Sequence, residues 1–247
     1  MTTRPMHARP RAVALVLAAG SGERLGRGLP KAFLPLAGRP MLEFSLLALA
    51  GCEEIESTVL VVPGGLISEG ERMAGRLAGG ARVIAVVPGG PTRQDSVRMG
   101  LAALPPRVDV VICHDAARPM ASARLFTRVV EALEGGRAAE GAVPVVPSPD
   151  TVKRVLAGAV VGTVPREEVG LAQTPQGFVV SALAEAHDRA LEGGMEATDD
   201  AMLLEQAGYR VVAVPGEATN FKITTDEDLR RAERALLESA GIRGLRP

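Results

Sequence analysis

Six short, largely apolar runs recur along this chain: Val13 to Leu17, Thr58 to Val62, Val83 to Val87, Val108 to Cys113, Gly141 to Val146 and Arg210 to Val214. Each has the length of a β-strand and is rich in valine, and apolar residues at consecutive rather than alternate positions require burial on both faces. The intervening segments have helix length: Pro40 to Ala50, Ser68 to Leu77, Thr92 to Leu104, Ser122 to Glu134, Val179 to Glu192 and Asp199 to Ala207, with Asp226 to Ser239 last. Strand and helix in steady alternation predict βαβ crossovers, hence an α/β fold with a Rossmann-like, doubly wound, mostly parallel sheet. A chain of 247 residues can bury such a sheet as one large domain without disulfides or metals. We place that domain at residues 12–240, with a disordered extension at 1–11 and a C-terminal tail at 241–247.

One stretch breaks the rhythm. From Ser148 to Gln173 no helix pattern is present; Thr151 to Val155 and Val160 to Val164 alternate and are separated by Gly158, which reads as a β-hairpin projecting from the sheet. An isolated two-stranded ribbon is marginal in water, so a hairpin carrying this many valines is expected to be a dimerisation arm, making the protein a homodimer.

Bulk composition narrows the partners. A net charge of -1 provides no basic field for a phosphate backbone, so no nucleic acid is expected. No apolar run reaches the roughly 18 to 20 residues of a membrane span, so no membrane partner is expected either. Two cysteines, Cys52 and Cys113, are too few for a disulfide framework, and a reducing cytoplasm suits them.

The chemistry begins where the first strand ends. Val16 to Gly26 reads Val-Leu-Ala-Ala-Gly-Ser-Gly-Glu-Arg-Leu-Gly and is followed by Leu29-Pro30-Lys31. Glycines let backbone N–H groups approach an anion closely, and Arg24 and Lys31 add full positive charges suited to a triphosphate. The loop is neither a P-loop, since no Gly-Lys-Ser/Thr closes it, nor a dinucleotide fingerprint, since the third glycine is missing. With Pro30-Lys31 it resembles the N-terminal signature of nucleotidyltransferases that activate sugar-like phosphates. Only three of the 28 basic residues are lysines, Lys31, Lys153 and Lys222. A lysine kept in so arginine-biased a chain marks a position that suits a compact ammonium; for Lys153 chance retention is as good an account, and a solvated arm cation is the preferred reading.

Further motifs fall at strand ends, where open α/β sheets bind ligands. They are Pro88-Gly89-Gly90-Pro91-Thr92-Arg93-Gln94-Asp95-Ser96-Val97, His114-Asp115-Ala116-Ala117-Arg118-Pro119, Pro149 to Arg154, Thr174-Pro175-Gln176, Thr198-Asp199-Asp200 and Asn220-Phe221-Lys222-Ile223-Thr224. In this order, from about Val13 to about Leu236, they resemble the 2-C-methyl-D-erythritol 4-phosphate cytidylyltransferase family. The His-Asp-Ala-Ala-Arg-Pro and Asn-x-Lys elements are the most specific of them.

The resemblance implies a nucleotide-diphospho-sugar transferase fold and transfer of a cytidylyl group from CTP to the polyol phosphate, in the non-mevalonate isoprenoid pathway. It implies that Ala18, Ala19, Gly20, Gly22, Arg24 and Lys31 bind CTP, the two cations at its phosphates, and that Gly90, Arg93 and Ser96 border the cytosine pocket. Asp115 then holds Mg²⁺ or another divalent ion, with Ala116 and Ala117 beside the nucleotide. Thr151, Arg166, Thr174 and Lys222 hold the methylerythritol phosphate, Thr151 and Arg166 reaching across the dimer from the arm. Arg24, Lys31 and Lys222 are the catalytic cations. Competing readings are a helix cap for Asp115, a helix-surface hydroxyl for Ser96 and a solvated hairpin cation for Arg166. His114 is read as structural. The family's acidic residue ahead of Asn-x-Lys is missing from Gly216-Glu217-Ala218-Thr219-Asn220, leaving Glu217 as the substitute. A ribitol 5-phosphate cytidylyltransferase, or a non-catalytic nucleotide-binding module on the same scaffold, are the alternatives.

Overall fold

The structure is a computed structural model that describes residues 10–20, 29–77, 82–134 and 139–239. Its first half runs β1 (Ala12–Leu17), β2 (Pro35–Leu36), β3 (Arg39–Pro40), α1 (Met41–Ala50), β4 (Ile55–Val62), α2 (Ile67–Arg76), β5 (Val83–Pro88), α3 (Arg93–Ala102), β6 (Val110–Asp115) and α4 (Ala123–Glu131). The second half runs β7 (Gly141–Pro147), β8 (Val152–Leu156), β9 (Ala159–Val164), β10 (Gly170–Ala172), β11 (Gln176–Val179), α5 (Val180–Glu192), α6 (Asp200–Gln206), β12 (Val211–Pro215) and α7 (Asp226–Ser239). All six expected strands and all seven expected helices are present, with ends shifted by a few residues.

Among the described residues the central sheet has eight strands, in the order β10-β7-β11-β6-β1-β4-β5, with β12 added beside β7. β1 pairs in parallel with β4 and β6, β4 with β5, and β7 with β12. The doubly wound, mostly parallel sheet expected from the apolar runs is therefore the observed one. What the runs do not announce is β11, which lies antiparallel between β6 and β7 and makes the sheet mixed. β10 continues the same edge of β7, also antiparallel.

Alternate residues of β1 face opposite layers, as the period of a strand demands. Ala12, Ala14 and Val16 join a core with Leu42 and Leu46 of α1, Met73 of α2 and Phe126 of α4. Val13 and Leu15 join Val97 of α3, Leu183 of α5 and Leu203 and Leu204 of α6. A third cluster of Leu36, Met41, Ile223, Leu229 and Ala232 fastens α7 beside β2 and the start of α1. Phe221 packs against that cluster, with the Arg231 guanidinium 4.1 Å above its ring.

Among the described residues the hairpin β8–β9 is a separate two-stranded sheet, paired with no strand of the central one. Its turn, Ala157-Gly158, has positive φ at both residues, as a two-residue hairpin loop of the primed type requires. Lys153 donates to Thr163 across the ribbon at 2.7 Å, a local contact that suits an arm cation. The ribbon leaves Val155, Leu156, Val160 and Val161 between 54% and 70% exposed. Arg11, assigned from sequence to the extension, is anchored instead: its N–H donates to Asp109 at 2.7 Å and its side chain pairs with Glu56. The rest of that extension up to residue 9, the last residue of the domain at 240 and the tail at 241–247 lie outside the described residues.

Candidate functional site

The parallel strands β1, β4, β5 and β6 end on the same edge of the sheet, and the sequence motifs follow those ends. At the end of β1, Ala18 donates to the Val61 carbonyl at 2.7 Å and is buried, Ala19 is half-buried and Gly20 is exposed. Gly22 and Arg24 lie outside the described residues. Lys31 opens a short 3-10 turn (Lys31–Phe33) and is half-buried.

After β5 the chain turns through Gly89 and Gly90. A side chain at Gly89 would collide with Ala19, and one at Gly90 with Asp95, so this turn is packed too closely for any other residue. The turn is held by Ser96: its hydroxyl donates to the Thr92 carbonyl at 2.9 Å and accepts from the Gly90 N–H at 3.1 Å. Ser96 is 5% exposed, so it is not a helix-surface hydroxyl. Thr92 and Asp95 form a reciprocal capping box that starts α3, which sets Arg93 at the first helical position.

Asp115 is the last residue of β6, so it is no helix cap. One oxygen accepts from Arg93 Nε at 3.1 Å and the other from Lys222 Nζ at 2.7 Å. Burial pushes the Asp115 carboxyl up, but the Arg93 guanidinium and the Lys222 ammonium outweigh it and hold the group well below the usual carboxylate range. Lys222 is 41% exposed at its side chain, Asp115 only 12%. Ala116 donates to the Leu17 carbonyl at 3.0 Å, knitting the ends of β1 and β6 together, and the half-buried Ala117 accepts from Ile223 N–H at 2.9 Å, bringing the Lys222 segment alongside.

Thr174 sits at the same corner. Its hydroxyl accepts from the Asp115 N–H at 3.0 Å and lies 3.2 Å from His114 Nδ1, while His114 Nε2 lies 3.1 Å from the Ser45 hydroxyl. Burial, with Arg118 nearby, lowers the His114 pKa to about 4, so the ring is neutral and serves as a hydrogen-bonded spacer under the site. Thr151 and Arg166 are both exposed on the arm, apart from this cluster.

Several groups were given no role from sequence. Asp200, 1% exposed, accepts from Arg93 Nη1 at 2.7 Å and from His187 Nε2 at 3.1 Å. Asn220 is fully buried and donates to the Thr174 carbonyl at 2.8 Å; Arg118 donates to the Asn220 carbonyl at 2.8 Å and to the Ala172 carbonyl at 3.2 Å. Gln173 closes the junction, donating to the Glu217 carbonyl at 2.8 Å and accepting from its N–H at 3.0 Å. The loop that carries Lys222 is thus tied to the exit of the arm. The Thr-Asp-Asp run and the Asn of Asn-x-Lys were the available signals. Glu217, the candidate second ligand, accepts at both oxygens from Ser122, the cap of α4. Among the described residues no three His, Cys, Asp or Glu gather as a metal site.

Residues 12–238 match the family model for 2-C-methyl-D-erythritol 4-phosphate cytidylyltransferase. The chain is 41% identical over 242 residues to a protein of that name from Streptomyces avermitilis, covering 95% of each. It is 47% identical over 234 residues to a bifunctional enzyme IspD/IspF from Clavibacter michiganensis, covering 94% of this chain and 56% of the relative. The chain therefore spans a little over half the length of several curated relatives it matches. A crystal structure of 4-diphosphocytidyl-2C-methyl-D-erythritol synthase from Anaerococcus prevotii superposes with a TM-score of 0.81 at 31% identity, covering 93% of this chain and 99% of that one. With the strand-end motifs folded onto one edge of the sheet and the match running almost end to end, the chain belongs to the 2-C-methyl-D-erythritol 4-phosphate cytidylyltransferase family.

Proposed function

We propose that this chain transfers the cytidylyl group of CTP to 2-C-methyl-D-erythritol 4-phosphate, releasing pyrophosphate. The observation that carries the reading is Asp115 at the end of β6, held between Arg93 and Lys222 and backed by Thr174. In the proposed step an oxygen of the acceptor phosphate forms a bond to the α-phosphorus in line as the bond to pyrophosphate breaks. That oxygen is already anionic at neutral pH, so the main task is to bring two anions together and neutralise them. Arg24 and Lys31 are assigned to the triphosphate and Lys222 to the acceptor phosphate, with Ala18, Ala19, Gly20, Gly22, Ala116 and Ala117 lining the nucleotide and Gly90, Arg93 and Ser96 bordering the base.

A divalent ion belongs to this reading. Asp115 is the carboxylate that would hold such an ion, since Mg²⁺ takes few protein ligands and keeps water and phosphate oxygens; both of its oxygens are paired in this structure, with Arg93 and with Lys222, and the ion would supply charge neutralisation at the phosphates. We further propose a homodimer formed through β8–β9, supported by the exposed valines of that ribbon, in which Thr151 and Arg166 complete the neighbour's acceptor site. No helix among the described residues is long and apolar enough to cross a membrane. Cys52 and Cys113 are buried and unpaired, which favours a reducing cytoplasm.

The test is CTP-dependent pyrophosphate release with methylerythritol phosphate, with ribitol 5-phosphate and with no acceptor. Release that requires methylerythritol phosphate supports the reading. Preference for ribitol phosphate reassigns the acceptor, and no release with either acceptor leaves a nucleotide-binding module.

A further inference from the structure

Lys222 is delivered to Asp115 by a loop without regular structure of its own. Residues 216–225, between β12 and α7, contain no helix or strand. The stretch 216–222 bonds to itself through the Asn220 N–H and the Glu217 carbonyl, at 2.9 Å. With two soft dihedrals per residue, one such turn cannot fix a side chain two positions further on, so the loop is set from outside. Gln173, 4% exposed, supplies the grip. Its side-chain amide donates to the Glu217 carbonyl at 2.8 Å and accepts from the Glu217 N–H at 3.0 Å and from Asn220 Nδ2 at 3.4 Å. An amide carries a donor and an acceptor side by side in one plane, so Gln173 pairs with the Glu217 main chain as a neighbouring strand would. Its own main chain is fixed, since its N–H donates to the Pro144 carbonyl of β7 at 2.8 Å. The next residue, Thr174, accepts from the Asp115 N–H at its hydroxyl and from Asn220 Nδ2 at its carbonyl. Two consecutive residues therefore hold both ends of the Lys222–Asp115 pair, Thr174 at the carboxylate and Gln173 at the loop that carries the ammonium. Gly216 shows how closely the amide is packed, because a Cβ there would stand 2.8 Å from Gln173 Oε1 and 3.0 Å from the Val145 backbone. Ser122 holds the Glu217 side chain and Arg118 the Asn220 carbonyl, while the Glu217 N–H is met by Gln173.

We propose that Gln173 is a positioning residue for the transfer reaction, which by gripping Glu217 sets Lys222 against Asp115, where the acceptor phosphate is to be neutralised. The inference deepens the proposed function and rests on its assignment of Lys222 to the acceptor phosphate.

The experiment uses Gln173→Met, which keeps the length of the side chain and removes both hydrogen-bonding groups, and reads it in two ways. The first needs no substrate. The chain has three lysines, so acetylation by an N-hydroxysuccinimide ester can be followed at each by mass spectrometry, with Lys153 on the arm as the reference. Lys222 is expected to react roughly 2- to 5-fold faster in Gln173→Met, the scale of releasing a half-exposed ion pair. It is expected to react no faster in Leu183→Val, a control that loosens the core beside α5. An unchanged rate in Gln173→Met, or the same rise in both variants, overturns the inference. The second reading is kinetic. In Gln173→Met, kcat/KM for methylerythritol phosphate is expected to fall roughly 10- to 100-fold, the loss that a misplacement of about 1 Å can cause, with the KM for CTP unchanged. In a Lys222→Met background the same substitution is expected to add nothing, and equal losses in both backgrounds would make Gln173 merely structural and overturn the inference. Should Gln173→Met fail to fold, Gly216→Ala, whose added methyl pushes on the same amide, carries both readings. Normal turnover by the wild type with Lys222 reactivity unmoved by the variants overturns this inference alone. No turnover by the wild type overturns the proposed function and with it the link to the acceptor, while the labelling still decides whether Gln173 places Lys222.

Discussion

Lys222 Nζ lies 2.7 Å from Asp115 Oδ2, although 107 positions separate the two residues. Arg93 Nε reaches the other oxygen of the same carboxylate from 22 positions away. Asp115 therefore sits between two cations supplied by different elements, at the edge of the sheet where its parallel strands end. The more exposed of the two cations is the lysine, its side chain 41% exposed against 29% for Arg93.

Asp115→Asn is expected to weaken the Mg²⁺ dependence of turnover, with partial rescue as Mg²⁺ is raised, because the amide keeps the shape and loses the charge. It also leaves Arg93 unmatched on one side, and breaking a buried pair costs about 3 to 5 kcal/mol; the half-open position of Lys222 places the loss at or below the lower end. Turnover against Mg²⁺ and a urea melt separate the two effects. An unchanged Mg²⁺ response with lowered stability would make Asp115 structural.

Lys31→Ala and Arg24→Ala are each expected to reduce turnover by about 10²- to 10³-fold, the effect of removing one group aimed at transition-state charge. Circular dichroism of the purified variants checks that the fold is kept. Near-normal turnover by either variant removes the charge-clamp argument for that residue.

Acid should destabilise the fold through His114. Its folded pKa is lowered to about 4, from an ordinary value of 6.5, so between those pH values the unfolded chain binds a proton that the native ring refuses. Stability from this group is complete above pH 6.5, is lost as pH falls towards 4, and changes no further below that. The loss amounts to about 3 kcal/mol. Urea midpoints at pH 7 and 4.5 measure it, and His114→Gln, which keeps a polar side chain without a titrating ring, should flatten the slope. An equal slope in that variant assigns the acid sensitivity to other groups.

The arm can be tested by complementation. A Lys31→Ala subunit and an Arg166→Ala subunit are each expected to be inactive alone. Mixed, they should recover part of the activity, because one of the two shared sites then receives both intact residues. Val160→Asp, which sets a charge on the 64% exposed ribbon valine, should shift the sedimentation coefficient towards the monomer. Confirmed heterodimers without activity would mean that each subunit builds its site alone.

The alternation of strands and helices was legible in the sequence because each apolar run carries its own burial requirement, and the hairpin was legible because its period and glycine turn are local. β11 was not. It is four residues long and runs straight into α5, so it offers no period to read, and its place between β6 and β7 depends on partners far along the chain. The same boundary runs through the site. The motifs around Gly90, Asp115 and Lys222 could be picked out by residue type, because phosphate and cation chemistry limits which side chains serve. Their electrostatic arrangement could not, since Asp199 and Asp200 are adjacent and chemically identical. Only packing makes the first a helix cap and the second a buried counter-ion of Arg93. By itself the sequence determined which groups are present and which segments are buried; the tertiary structure decided which charges meet, because Coulomb energy depends on separation and burial, and neither is a property of position along the chain.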